Sequence, residues 1–154
     1  MRVAIGSDEK TRVTDVVAEY LQEKGLEVEL HGPLNEQPLD WADVAREVGE
    51  RVASGAVDQG VLFCWTGTGV SIAANKVPGV RAALCADAET ARGARRWNDA
   101  NVLVMSLRAT PEAVAREICD AWLEGGPDPA EKAVIDKVKT IEEDARHGVN
   151  KPRR

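Results

Sequence analysis

Apolar residues fall along the chain in short blocks with two alternating spacings. RVAIGSD (2–8), EVELHG (27–32), DQGVLFCW (58–65), GVRAALCAD (79–87) and NVLVMS (101–106) have the length and composition of buried strands. Between them the apolar positions recur at helical spacing. Val13, Val16, Val17, Tyr20 and Leu21 share one face of a helix that closes at Gly25. Val44, Val48 and Val52, at i, i+4 and i+8, mark a second helix. Further helices fit 86–96 and 111–123, and a last one fits 130–146 beyond the breaker EGGPDP. PLNEQPLD (33–40) reads as a proline-rich loop whose Asp40 caps the second helix. Short apolar strands separated by helices predict an α/β fold, a parallel sheet covered on both faces. The pattern predicts one domain over 1–147 and a flexible tail at 148–154.

Composition narrows the function. The 154 residues suffice for one compact core. A net charge of −6, with no basic run before the final NKPRR, argues against nucleic acid as a partner. The start MRVAIGSDEK is too soon charged for a signal peptide, and no apolar run approaches the roughly 20 residues of a membrane span. Cys64, Cys85 and Cys119 are far apart and odd in number, which predicts reduced thiols in a cytoplasm and neither a disulfide frame nor a zinc site.

In parallel sheets ligands bind beyond the carboxyl ends of the strands, so the chemistry is sought there. Those ends carry Ser7-Asp8-Glu9, Asp40-Trp41, Cys64 to Gly69, Asp87, and Ser106-Leu107-Arg108. In FCWTGTGVSIAANK (63–76), Gly67 and Gly69 flank Thr68 just before a helix-like segment. Such a loop can aim backbone N–H groups at a phosphate, a carboxylate or an enediolate oxygen. The same glycines also suit a plain strand-to-helix turn. The Walker lysine spacing and a full G-x-G-x-x-G are both missing. Cys64 at the mouth of the loop is either a thiolate base or a small buried hydrophobe, and the second reading applies to Cys85 and Cys119.

Several segments recur in a telling order: GSD after the first strand, Asp40-Trp41 opening the second helix, C-x-T-G-x-G-x-S-I-A-A-N-K, PGVRAAL, NDANVL and DAWL. Together they resemble the ribose-5-phosphate isomerase B and galactose-6-phosphate isomerase family, over about residues 2–125 and more loosely the last helix. The resemblance implies a five-stranded Rossmann-like α/β/α sandwich, three layers deep, working as a homodimer or dimer of dimers with sites between subunits. It implies an aldose–ketose isomerase acting on a small sugar through a cis-enediolate, without metal or other cofactor. Cys64 would move the proton between C1 and C2, and Thr66 with the amides of Gly67, Thr68 and Gly69 would hold the enediolate oxygen. Asp8 and Asn98 match positions that touch substrate hydroxyls, and Ser71 belongs to the same binding block. The Trp97–Asp99 segment and Arg108 would come from the subunit opposite Cys64.

The departures from that pattern concern the substrate. The family places a histidine after Asp8 and another before Asn98, the second to open the furanose ring; here stand Glu9 and Trp97, and His31 and His147 lie elsewhere. Ala130 and Val134 stand near the places of the phosphate-holding arginines of the last helix, which leaves Arg108, a phosphate ligand or a surface ion pair. Glu9 beside Asp8 would repel a phosphate dianion. Trp65 replaces a glycine and Trp41 another aromatic. Trp41, Trp65 and Trp97 suit the lining of a sugar pocket, whereas Trp122, in helical register with Ile118, suits the core. The leading expectation is an isomerase for a substrate other than ribose 5-phosphate, free or carboxylated. The alternatives are a ribose-5-phosphate isomerase whose phosphate site is rebuilt from Lys10, Arg12, Arg95 or Arg96, and a non-catalytic sugar-binding or partner subunit. The presence of Cys64 argues against the last.

Overall fold

The computed structural model describes residues 1–148; the tail expected to be flexible lies, save Gly148, outside them. Its elements are β1 (Arg2–Ser7), α1 (Arg12–Glu23), β2 (Glu27–His31), α2 (Trp41–Ala53), β3 (Gln59–Cys64), α3 (Thr68–Ala74), β4 (Ala82–Leu84), α4 (Ala88–Asn98), β5 (Val102–Ser106), α5 (Glu112–Glu124) and α6 (Lys132–Arg146). The strands form one parallel sheet in the order β2-β1-β3-β5-β4, between two helical layers. This is the α/β/α sandwich expected.

Strand alternation divides the core in two. Val61 and Phe63 point to the layer that holds α1, α4 and α5, where Val17, Ala91, Ile118 and Trp122 meet them. Leu62 and Cys64 point the other way, into the layer of α2 and α3, against Val44, Val48 and Val70. The direction of the Cys64 side chain thus follows from its register in β3.

Two elements differ from the expected pattern. The loop after β2 opens with a 3-10 turn, Gly32–Asn35, because Gly32 takes a left-handed φ of 68° and Pro33 pre-sets the turn. β4 is three residues long, shorter than the apolar stretch 79–87. It is an edge strand that pairs only with β5, and Asn75 clasps it from α3: Nδ2 donates to the Ala82 carbonyl and Oδ1 accepts its N–H (3.0 and 2.8 Å). α6 buries no residue and touches the body where Glu142 accepts the Gly79 N–H (2.8 Å). Among the described residues no helix is long and apolar enough to cross a membrane.

Candidate active site

β1 and β3 are neighbours, and their connections leave the sheet in opposite directions, β1 toward β2 and β3 toward β4. A crevice opens at such a switch point beyond the carboxyl ends. Asp8 follows β1 and Cys64 ends β3, so the order of the strands brings these two together. Cys64 is buried, 5% exposed. The loop after it is tied to the end of β5: the Cys64 carbonyl accepts from the Leu107 N–H (3.0 Å), and the Trp65 carbonyl from Ser106 Oγ (2.9 Å) and the Arg108 N–H (3.0 Å).

Gly67 is required by geometry. Its φ is 78°, and a Cβ there would stand 2.6 Å from Leu84 Cδ1 and 3.3 Å from the Met105 carbonyl. It caps α3, and its carbonyl accepts the Ser71 N–H (3.3 Å), which puts half-buried Ser71 one turn into the helix. The Thr66 and Thr68 hydroxyls bond to each other across the turn (2.8 Å). Gly69 lies under the indole of Trp41, so the first residue of α2 walls the loop from the α2 side.

The β1 end is acidic. Ser7 Oγ donates to the Glu9 carbonyl (2.6 Å) and accepts the Glu9 N–H (3.2 Å), which fixes the turn that presents half-buried Asp8. Burial pushes the Asp8 carboxyl up from its ordinary range, and the charges of exposed Glu9 and of Asp40 push it further, against one backbone hydrogen bond. Asp40 also caps α2, accepting the Asp43 N–H (2.8 Å). Cys85 and Cys119 are pushed up to about 12 by burial and stay protonated.

Not every expected residue joins this site within one chain. α4 runs back from the carboxyl end of β4 and ends at Asn98, ahead of the start of β5. Its 11 residues span about 16 Å. Trp97 and Asn98 therefore sit at the opposite end of the sheet from their own chain's Cys64. Asn98 lines a cleft of about 770 Å³ with Lys76, Arg81, Val138 and Ile141, between α6 and the body. Arg108 donates its backbone N–H to the Trp65 carbonyl of its own chain. It lines, with Thr66, Leu84, Ser106 and Thr110, a depression of about 230 Å³. The cations considered for a rebuilt phosphate site are engaged elsewhere. Arg12 pairs with Glu112 (3.2 Å), Lys10 with Asp15 (3.8 Å) and Arg96 with Asp128 (3.2 Å). Arg95 is buried, stacked on Trp122 and bonded to the Ala100 carbonyl.

The tryptophans separate cleanly. Trp41, Trp65 and Trp97 are 46%, 59% and 56% exposed, which rules out core filling, while Trp122 is 2% exposed and donates Nε1–H to Gln59 (2.6 Å). Sequence reasoning missed Leu84 and the part played by Ser106. Leu84 leaves Gly67 no room for a side chain, and Ser106 anchors the Trp65 carbonyl. The only local signal for Ser106 was a hydroxyl residue ending an apolar strand.

Comparison with known proteins shows the family and the fold. A sequence profile of the family described as Ribose/Galactose Isomerase matches residues 3–141. Ribose-5-phosphate isomerase B of Escherichia coli is 40% identical over 131 residues, 81% of this chain and 87% of that one. D-erythrulose-4-phosphate isomerase of Pectobacterium atrosepticum is 35% identical over 155 residues, 96% of this chain and 99% of that one. The structure of Clostridium thermocellum ribose-5-phosphate isomerase B superposes with a TM-score of 0.88 at 37% identity, over 94% of this chain and 99% of that one. With the profile spanning nearly the whole chain, and relatives of this identity and coverage, the chain belongs to the ribose/galactose isomerase family of aldose–ketose sugar isomerases.

Proposed function

We propose that this chain interconverts an aldose and a ketose through a cis-enediolate, with Cys64 as the base, on an acyclic substrate other than ribose 5-phosphate. The observation that carries it is the adjacency of the β1 and β3 carboxyl ends, which bear Asp8 and Cys64, beside a loop whose first two carbonyls, those of Cys64 and Trp65, are committed to the β5 turn. Cys64, as thiolate, takes the proton from the carbon next to the carbonyl. The electron pair moves to the carbonyl oxygen and gives the enediolate, and the same proton returns to the neighbouring carbon. Asp8, whose burial favours its proton, exchanges that proton with a substrate hydroxyl. Loop N–H groups between Trp65 and Gly69 and the Thr66 hydroxyl hold the developing oxyanion.

The working unit is a homodimer or a dimer of dimers. Trp97 and Asn98 lie about a helix length from their own Cys64, so they reach a site only in a second copy. Trp41 and Trp65 offer apolar faces to the C–H surfaces of the sugar. The enzyme works in the cytoplasm, which keeps thiols such as its three free cysteines reduced.

Three features bear on the substrate. Trp97 cannot exchange protons, so nothing at its position opens a furanose ring. The carboxylates of Glu9 and Asp40 disfavour a dianion at the β1 end. Arg12, Arg95 and Arg96 are engaged elsewhere. These favour a free or carboxylated sugar. A second reading has its own support: the relative named D-erythrulose-4-phosphate isomerase aligns over nearly all of both chains. A tetrulose 4-phosphate has no C5 hydroxyl, and in the corresponding tetrose 4-phosphate O4 is esterified, so neither closes a furanose and no ring-opening group is needed; Arg108 beside the loop is a cation that can meet the phosphate.

The deciding experiment is kcat/KM for ribose 5-phosphate, a tetrulose 4-phosphate, and free tetroses, pentoses, hexoses and uronates, with wash-in of solvent deuterium next to the carbonyl as a second readout. An acyclic substrate should lead the panel. Ribose 5-phosphate in first place with about 10⁴ M⁻¹s⁻¹ or more, the lower edge for ordinary enzymes, would overturn the substrate reading. Deuterium wash-in from no sugar would leave the binding-subunit reading in its place.

A further inference from the structure

The end of β5 does more than continue the sheet. Cys64 and Ser106 are register partners, and the chain beyond each is bonded to the other. The Leu107 N–H donates to the Cys64 carbonyl (3.0 Å). The Arg108 N–H (3.0 Å) and Ser106 Oγ–H (2.9 Å) both donate to the Trp65 carbonyl. Ser106 Oγ accepts in turn from the Ala109 N–H (3.2 Å). A carbonyl oxygen has two lone pairs, so that of Trp65 is fully committed to the β5 turn.

We infer that Ser106 is a positioning residue for the isomerisation: its hydroxyl turns the Trp65–Thr66 peptide so that its N–H faces the β1–β3 crevice. The inference rests on the proposed chemistry at Cys64. A trans peptide is planar, so its N–H and C=O point in opposite directions. The carbonyls of Cys64 and Trp65 both point toward β5. The N–H groups of Trp65 and Thr66 therefore both point away from β5, on the side where β1 ends and Asp8 stands. Successive N–H groups turned one way make a small anion-binding concavity. When Cys64 removes the C–H proton, the electron pair arrives on the neighbouring carbonyl oxygen. Donors already fixed in place stabilise that oxygen without reorganising.

Ser106 touches no reacting atom in this role. It acts through the peptide, and it differs from its neighbours in one respect. The bonds from Leu107 and Arg108 come from backbone N–H groups that any residue but proline supplies. The hydroxyl is the part that depends on the side chain, and through Ala109 it ties the catalytic loop and the β5 turn to a single atom.

The test uses the full-length chain and the sugar with the highest kcat/KM in the panel above. Ser106→Ala deletes the hydroxyl and Ser106→Thr keeps it. Ser106→Ala should lower kcat by about 10- to 100-fold, up to the cost of a misplacement of about 1 Å. KM should stay within about threefold, since the interaction is made chiefly in the transition state. Tm should move by no more than about 5 °C, and Ser106→Thr should recover most of the rate. A hydroxamate analogue of the enediolate should lose affinity in proportion to kcat/KM, while the corresponding polyol should not. Wild-type kcat in Ser106→Ala, a loss shared equally by hydroxamate and polyol, or no recovery in Ser106→Thr would each overturn the role. Cys64→Ala in the same assay separates the failures. Full turnover there removes the base assignment, whereas a Cys64-dependent enzyme indifferent to Ser106→Ala removes the positioning role alone.

Discussion

The indole of Trp41 lies on Gly69 so closely that a Cβ at 69 would stand 2.9 Å from Cε3 and 3.0 Å from Cδ2. The first turns of α2 and α3 are therefore in direct contact, and the glycine is what permits it. Gly69→Ala should destabilise the chain by about 1–3 kcal/mol, the range for an overpacked contact. Gly69→Ala combined with Trp41→Ala should cost less than the two single changes added, with a coupling of about 0.5–3 kcal/mol in a denaturation double-mutant cycle. Strict additivity would mean that the two do not touch in solution.

The three cysteines should part company on substitution. Cys64→Ala should reduce turnover by about 10²–10⁴-fold, the usual contribution of a positioned base. Cys85 and Cys119 are buried with thiols held protonated, so Cys85→Ala and Cys119→Ala should leave the rate alone and lower the unfolding midpoint. Steady-state rates and urea melts on the three variants check both halves.

Composite sites can be tested by mixing. Cys64→Ala and Asn98→Ala homodimers should each be inactive or nearly so. Random exchange of subunits in a 1:1 mixture makes half the dimers mixed, each with one intact site, so activity should return to about a quarter of wild type. No recovery after exchange, shown complete by mass or label, would place Asn98 outside the partner's site.

Two carboxylates should give opposite pH signatures. Burial raises Asp8 above its ordinary 3.8, so its ionisation costs stability: the cost is absent below that value and grows as pH rises through the folded pKa. Asp8→Asn should thus be more stable than wild type at pH 7, and less active. Glu29 is held at about 2, first by paired hydrogen bonds from Arg51 Nε and Nη2 (both 2.7 Å) and then by His31. Its contribution is complete above its usual 4.5 and disappears as pH falls from there toward 2. Glu29→Gln should be less stable at pH 7 and converge with wild type near pH 2. Melting curves from pH 2 to 8 read both signs.

Much of this protein is local in the chain and was legible there. The valines at i, i+4 and i+8 in α2 and the short apolar runs of β1, β3 and β5 are read directly from the sequence pattern, because burying apolar surface is a requirement each element meets by itself. The block from Cys64 to Lys76 likewise carries its strand, its left-handed glycine and its helix in consecutive residues. What the tertiary structure decided depends on strand order and on direction, which an apolar pattern does not encode. β5 inserts between β3 and β4, so Ser106 meets Trp65 across 41 residues and Arg108 stands by its own Cys64. α4 runs antiparallel to the strands, so Trp97 and Asn98, alike in type to the other site residues, end at the far edge of the sheet. The exposure of Trp41, Trp65 and Trp97 beside the burial of Trp122 has the same origin. All four are large apolar side chains, and only their places on the assembled helices and loops determine which of them a second layer covers.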